Sequence, residues 1–242
     1  FIIATWGYVG LFWVDGLTCM AAASILLFAL VRKAAVTDGS KQVGTKGRSP
    51  YSDRPYLFFL LTVVFISIPF LQYFSTVPLF YAEVHELSEQ WIGILLGANG
   101  LLIFLMEMPL IKYCEDRKFS RTGILVFSVL LIALSFAVLN LFPIVAFLWI
   151  GMVFMTFGEM LNFPFMNRFA YDRSDQGPPG AYMALFTISW SVAHIIGHTL
   201  GLNLIDRFGY SSTWWLFTGM LVLAMVMLVV LERMLKREEE RG

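Results

Sequence analysis

Residues 154–172 read FMTFGEMLNFPFMNRFAYD, an apolar run that carries a carboxylate, Glu159, near its middle. A carboxylate in the hydrocarbon core of a membrane costs roughly 3 kcal/mol or more unless it faces a cavity or a partner. Pro164 has no backbone N–H, so the sequence predicts that the helix breaks there and frees a carbonyl. The stretch therefore predicts a membrane helix that carries a functional site, with the other helices packed around it.

The composition of the chain is that of an integral membrane protein. Of its 242 residues 58% are hydrophobic and 14% are charged, and the mean hydropathy is +0.74. In soluble domains about 45–50% of the residues are apolar and about 25% are charged. The formal net charge is zero, so bulk charge indicates no nucleic-acid partner. The two cysteines, Cys19 and Cys114, lie in different apolar runs, and we expect neither a disulfide nor a metal site from them.

Seven apolar runs predict an all-α membrane protein with seven spans in a lipid bilayer. Residues 1–31 form the first span, and the polar, glycine-containing residues 32–55 are predicted to be a cytoplasmic linker. A six-helix bundle is predicted over residues 56–234, followed by a cytoplasmic tail at 235–242. The six predicted spans of the bundle are 56–82, 91–111, 122–141, 143–165, 181–205 and 213–231.

The distribution of charge predicts the orientation of the chain. If the linker is cytoplasmic, every one of the 17 Lys and Arg residues except Arg207 lies inside, and the outer loops carry Glu83, Glu86 and Glu89. The C-terminal tail is then cytoplasmic, and the short loops predict a bacterial inner (plasma) membrane. Because Phe1 already lies inside an apolar run, with no Met or basic segment before it, we expect a C-terminal part of a longer protein.

Several motifs together resemble the C-terminal half of a major facilitator superfamily transporter, whose plan is a linker followed by six helices. Residues 72–78, QYFSTVP, resemble the start of the second bundle in the drug:proton antiporter branch. The loop at 112–121, KYCEDRKFSR, resembles the family's motif G-x-x-x-D-R-x-G-R-[KR], with matches at Asp116, Arg117 and Arg121. The Gly-Glu pair and proline of the opening stretch resemble the family's tenth helix.

The resemblance implies that residues 1–31 are the sixth helix of a twelve-helix fold and that residues 56–231 are helices seven to twelve. The first five helices, which complete the N-terminal bundle, would lie outside this chain as its partner. The family binds a small-molecule substrate between two bundles and exposes it alternately to each side of the membrane. In this branch the implied function is proton-coupled export of small hydrophobic compounds, or multidrug efflux, with no cofactor and no enzymatic reaction.

Three ionisable residue types inside the spans are candidates for proton coupling or substrate contact. Glu159 either faces the central cavity or is a structural carboxylate bonded to a neighbouring helix. His194 and His198 lie one helical turn apart, so they share a face, and they either relay protons beside Glu159 or are hydrogen-bonded core residues. No third ligand is near them in sequence, so no metal site is predicted. Asp15 is either functional or bonded to a helix outside this chain.

Two further groups complete the candidate site. Gln72 and Asn162 are predicted either to line the cavity or to join helices by hydrogen bonds. Four charged residues near the inner surface predict either a conformational charge network or a solvated, positively charged loop. They are Glu107, Asp116, Arg117 and Arg121. Glu107 could also relay protons.

Three other functions remain open at this point. A proton-coupled peptide carrier of the same superfamily also has a glutamate and a proline in its tenth helix. A seven-helix receptor has the same topology, although the last predicted span, 213–231, contains no lysine that could bind retinal. An intramembrane enzyme could use Glu159 with the two histidines, but the sequence has no known hydrolase motif.

Overall fold

The chain divides into two compact units, Phe1–Val43 and Gly44–Gly242. The structure, a computed structural model, describes four stretches: residues 2–34, 47–117, 119–141 and 144–240. Most of the predicted linker, at 35–46, lies outside the described residues.

All regular secondary structure in the described stretches is helical, and no strand occurs in them. Two short 3₁₀ turns lie at Pro50–Ser52 and Ser174–Gln176. The α-helices of the described residues are α1 (Ile2–Ala34), α2 (Arg54–Ser75), α3 (Val77–Glu83), α4 (Glu89–Asp116), α5 (Arg121–Leu141), α6 (Val145–Arg173) and α7 (Pro179–Glu239).

Five helical segments of the described residues are long and apolar enough to cross a membrane, and a shorter apolar helix, Phe12–Leu27, lies within α1. This confirms the predicted all-α membrane architecture. The five segments are Arg54–Glu83, Glu89–Asp116, Arg121–Leu141, Val145–Gln176 and Pro179–Glu238.

The last two predicted spans, 181–205 and 213–231, are joined in one element, α7. Only Gly209 leaves the helical conformation inside it, with φ 74° and ψ 173°. A side chain would clash with the backbone in this region of φ and ψ, so glycine is the residue that adopts it readily. Gly209 therefore marks a kink between two helices, which lie where the sequence predicts the spans 181–205 and 213–231.

The predicted helix break at Pro164 is wrong. Helix α6 continues through this proline and ends at Arg173, beyond the predicted end of the span at residue 165. Prolines are tolerated inside membrane helices because neighbouring groups satisfy the backbone that they leave unpaired. The expectation that a proline ends the helix fails here because tertiary packing stabilises the helix on both sides of it.

Helices α2, α5, α6 and α7 pack against one another, whereas α4 packs chiefly against α6. Close approach of α5 and α6 depends on Gly158, since a Cβ atom there would lie 2.6 Å from Ile132 Cγ1 and 3.0 Å from the Ser128 carbonyl oxygen. Large aromatic side chains fill the core between the helices. The largest fully buried ones are Trp214, Tyr56, Tyr73, Tyr81, Tyr182, Phe59, Phe136 and Phe217.

Candidate functional site

A cavity of about 420 Å³ lies between α2, α6 and α7. Each of the three helices contributes side chains spaced four residues apart, which places them on one face of that helix. The cavity therefore combines an aromatic wall with a few polar groups, one of which is Glu159. Its lining consists of Phe70, Leu71 and Phe74 from α2, Glu159, Phe163 and Asn167 from α6, and Phe186, Trp190 and His194 from α7.

Three aromatic side chains from different helices hold this wall in place. The rings of Phe70 and Phe163 meet edge to face, with centroids 4.6 Å apart and planes at 87°. Trp190 lies 5.1 Å from Phe163 and 6.3 Å from Phe70, also edge to face. Such pairs are favoured by the charge distribution of the rings and contribute about 0.5–1.5 kcal/mol each beyond the area that they bury. The wall is thus a packed aromatic cluster.

The carboxylate of Glu159 is half-buried and is held by a neutral amide. Asn99 of α4 donates from Nδ2 to Glu159 Oε2 at 3.2 Å and to the Thr156 hydroxyl at 3.0 Å. No basic side chain forms an ion pair with Glu159 among the described residues. The structure thus places Glu159 in a cavity wall and also bonds it to a neighbouring helix.

The two histidines lie beside this cavity. His194 also lines a smaller cavity of about 200 Å³, together with His198, Leu71, Phe74 and Ser75. The structure therefore brings Glu159 and His194 into the wall of one cavity and places His198 in the wall of the next. No cluster of three or more His, Cys, Asp or Glu side chains suited to a metal ion is found in the residues that the structure describes.

Gln72 joins α2 to α7 and does not line either cavity. Its Nε2 atom donates to the carbonyl oxygens of Gly197 at 2.8 Å and Ile68 at 3.2 Å. Gly201, one turn beyond Gly197, makes room for it, because a Cβ atom there would lie 1.9 Å from Gln72 Oε1. A fully buried amide in such a site acts as a hydrogen-bonded link between helices.

Asn162 has a similar position between α5 and α6. It is fully buried and donates from Nδ2 to the Ser128 hydroxyl at 2.8 Å. Asp15 belongs to the other compact unit, where its carbonyl oxygen accepts a hydrogen bond of 2.9 Å from the Thr18 hydroxyl in α1. Of the six predicted coupling or cavity residues, Glu159, His194 and His198 are therefore the ones that line the cavities described here.

The charged residues where α4 ends and α5 begins form ion pairs with the end of α6. Arg121 pairs with Asp172, and Arg168 lies 3.8 Å from the same carboxylate and 3.3 Å from Glu115. All four side chains are one-third to one-half exposed. Three members of this cluster, Glu115, Arg168 and Asp172, were not among the predicted network residues, although two of them close the opening stretch of sequence.

The four predicted network residues form no ion pair with one another in the part of the chain that the structure describes. Arg117 instead lies over the ring of Tyr113, with its guanidinium carbon 5.5 Å from the ring centroid. Asp116 is exposed, and Glu107 is half-buried without a basic partner among these residues. Of the four, Arg121 alone takes part in the observed ion pairs, through Asp172.

A buried ionic cluster at the same end of the bundle was missed by sequence reasoning. Arg173 donates to Asp53 and, at 2.6 Å, to Glu238, while the Tyr182 hydroxyl donates to Asp53 at 3.1 Å. Burial raises the pKa of the Asp53 carboxyl, but the hydrogen bond and charge of Arg173 outweigh this effect and hold the pKa below its usual 3.8. Asp53 stands in Ser52-Asp53-Arg54-Pro55, a pattern typical of a helix start, and its carboxylate also caps α2 by accepting from the N–H of Tyr56.

Apolar helices of membrane-spanning length around a cavity define a multi-pass α-helical membrane protein. Residues 1–198 match the family model of the Major Facilitator Superfamily, and the chain belongs to that superfamily. It is also similar to the uncharacterized MFS-type transporter YqjV of Bacillus subtilis (strain 168), with 21% identity over 206 residues. The aligned region covers 82% of this chain and 50% of that protein, so the chain spans about half the length of its relative. The predicted superfamily is confirmed.

Proposed function

We propose that this chain is the C-terminal part of a secondary active transporter that moves a small solute by alternating access. Its specific activity would be proton-coupled export of small hydrophobic compounds, as in the drug:proton antiporter branch. The observation that carries the proposal is the placement of Glu159 in the wall of an aromatic cavity, opposite aromatic side chains of α2 and α7.

The cavity has the character of a site for a hydrophobic solute. Ligand sites are typically lined by apolar and aromatic side chains with a few polar groups, in volumes of roughly 300–1,000 Å³. At about 420 Å³, with Phe163 and Trp190 in its wall and one carboxylate, this cavity fits that description. A cationic centre on the solute would gain from both the Glu159 charge and the aromatic faces.

The same carboxylate supports proton coupling. An ionisable group within a membrane span is expensive and marks an ion or proton pathway by default. Glu159 is bonded to the neutral amide of Asn99 and to no cation among the described residues, so its charge is not cancelled by a fixed partner. Proton binding at Glu159, with His194 in the same wall, can therefore change the charge of the cavity as the transporter alternates.

The arrangement in the membrane is part of the proposal. The excess of Lys and Arg in the loops at one end of the bundle supports a cytoplasmic location for that end and for the C-terminal tail. A bacterial inner membrane is the proposed location, and the relative described above comes from a bacterium. The N-terminal bundle of the same protein would supply the other wall of the transport pathway.

The test is transport by the full-length protein in vesicles with an imposed pH gradient. Uptake of a fluorescent hydrophobic cation and the internal pH are recorded together for the wild type and for Glu159→Gln. The variant should lose proton-coupled flux while keeping the wild-type thermal unfolding midpoint, because glutamine retains the shape but cannot titrate. Glu86→Gln, which removes an exposed carboxylate between α3 and α4, is the matched control and should transport as the wild type does.

Wild-type flux with unchanged pH dependence in Glu159→Gln would refute the role of Glu159. A dipeptide offered in the same assay distinguishes the peptide carrier from the exporter. Coupled flux of the dipeptide without flux of the hydrophobic cation would favour the peptide carrier.

A further inference from the structure

A second, larger cavity of about 490 Å³ lies between the end of α4 and the start of α5. It exists because α4 and α5 each pack against α6, and Leu161 of α6 forms its floor. Tyr113 and Phe119 contact each other in its wall, with ring centroids 6.4 Å apart. The remaining lining is mostly apolar and consists of Leu110, Cys114, Ser120, Gly123, Ile124 and Phe127.

This cavity opens toward the outside of the six-helix unit. The side chains of Tyr113, Phe119 and Phe127 are each about half exposed, at 53%, 52% and 52%. Apolar surface of this kind would be costly in water, but at the flank of a membrane bundle it is matched by lipid chains. The shape and the chemistry of the cavity therefore fit an acyl chain better than a polar solute.

Positive charge lies at the mouth of the cavity. Leu110, Tyr113, Cys114 and Arg117 follow one another at helical spacing, so the apolar stripe of α4 that lines the cavity ends in a cation. The Arg117 guanidinium is exposed and rests over the Tyr113 ring. Arg117 has no carboxylate partner in the described part of the chain, so it can bind an anion.

A smaller cavity of about 360 Å³ continues this site toward the charged end of α6 and shares Cys114, Phe119 and Ile124 with it. Arg121 and Arg168 line this extension together with Glu115. These arginines are half exposed, and both are engaged by the carboxylates described above. Among the described residues around this site, Arg117 is thus the cation without a carboxylate partner, and the paired arginines line the extension.

We propose that this site binds one anionic phospholipid of the adjacent leaflet. One acyl chain occupies the cavity between α4 and α5, and the phosphate is bound by Arg117. Basic pockets between membrane helices bind anionic head groups, with each nearby Lys or Arg favouring them by about fivefold. A zwitterionic lipid can fill the cavity equally well but gains less from this cation. The site is separate from the Glu159 cavity and does not depend on the transport proposal.

The test uses the full-length protein in phosphatidylcholine vesicles that contain a small fraction of a photoreactive lipid. The probe is phosphatidylglycerol with a diazirine on one acyl chain, and the comparison probe is phosphatidylcholine with the same chain. After irradiation, labelled residues are mapped by mass spectrometry. We expect labelling of Tyr113, Phe119 and Phe127 that is about fivefold or more stronger with phosphatidylglycerol.

Three variants separate the head group from the acyl chain. Arg117→Gln should lower labelling by the anionic probe about fivefold and leave labelling by phosphatidylcholine unchanged. Arg233→Gln removes an exposed arginine of α7 and should change neither. Leu110→Trp fills the cavity and should lower labelling of its walls by both probes. Because Arg117 is exposed, its substitution should leave the thermal unfolding midpoint at the wild-type value.

Equal labelling by the two probes would overturn the proposal, and so would wild-type labelling of Arg117→Gln. Cross-links from the cavity walls to residues 35–46 instead of to lipid would also overturn it, since the chain itself would then fill the cavity.

Discussion

Arg173 donates two hydrogen bonds to the carboxylate of Asp53, from Nε to Oδ2 at 2.6 Å and from Nη2 to Oδ1 at 2.7 Å, across 120 positions of the chain. Asp53 is fully buried, and Arg173 is 9% exposed. Because Arg173 also donates to Glu238, this one guanidinium joins the start of α2, the end of α6 and the end of α7. A buried ionic cluster therefore closes this end of the bundle.

Asp53→Asn should destabilise the protein by about 3–5 kcal/mol, because removing one member of a buried ion pair leaves the other charge poorly compensated. The measurement is the free energy of unfolding in detergent micelles. Asp172→Asn is the matched control. It removes a carboxylate that also pairs with arginine but is one-third exposed, so we expect a loss of about 1 kcal/mol or less. Equal losses of unfolding free energy in the two variants would show that burial does not determine how much the Asp53–Arg173 pair stabilises the protein.

Gly158→Ala should destabilise the protein by about 1–3 kcal/mol, since the new methyl group would force α5 away from α6. It would lie 2.6 Å from Ile132 Cγ1 and 3.2 Å from the Ile132 backbone nitrogen. Gly219→Ala has nothing within 4 Å and should instead stabilise α7 by up to about 1 kcal/mol through helix propensity. Thermal unfolding of both variants is the measurement. A neutral Gly158→Ala would contradict the close packing of α5 and α6.

Trp190→Ala should raise the KM for a hydrophobic substrate by about threefold to tenfold, because it removes one side of the aromatic wall. Trp215→Ala is the control, since that tryptophan is 48% exposed and does not line the cavity. The measurement is initial transport rate against substrate concentration in vesicles. If both variants raise KM equally, the substrate does not bind in the cavity next to Trp190.

Protonation of His85 should destabilise the loop that follows α3. Its Nε2 atom is buried and has no hydrogen-bond partner among the described residues, and its ring meets Phe80 edge to face at 5.0 Å. Burial lowers the pKa of His85 from 6.5, so below that pH the unfolded chain takes up the proton more readily than the folded protein. The contribution of neutral His85 is thus fully present above pH 6.5 and is lost as pH falls through the lower, folded pKa.

The measurement is the difference in unfolding midpoint between about pH 8 and about pH 5 for the wild type and for His85→Phe. Phenylalanine cannot titrate, so the variant should show a smaller decrease at the acidic pH. A decrease as large as that of the wild type would assign the pH dependence to other groups.

The class of fold could be predicted from the sequence because the membrane imposes rules that act locally. Long apolar runs must be helices, since no water is available to satisfy an exposed backbone. The same rule singled out Glu159 and His194 as costly residues within the spans. The predicted helix break at Pro164 was wrong, since α6 continues through this proline. The outcome there depends on how neighbouring helices support the backbone.

By itself, the sequence determined an all-α membrane protein and a short set of ionisable residues inside its spans, because run length and the cost of buried charge depend on each segment alone. The superfamily was indicated separately, by the resemblance of its motifs. Only the tertiary structure decided which of these residues share a cavity. It placed Glu159 beside Phe70 and Trp190, and it brought Asp53 to Arg173. These contacts join residues far apart in the chain, so they depend on how the helices pack, which local sequence patterns do not specify.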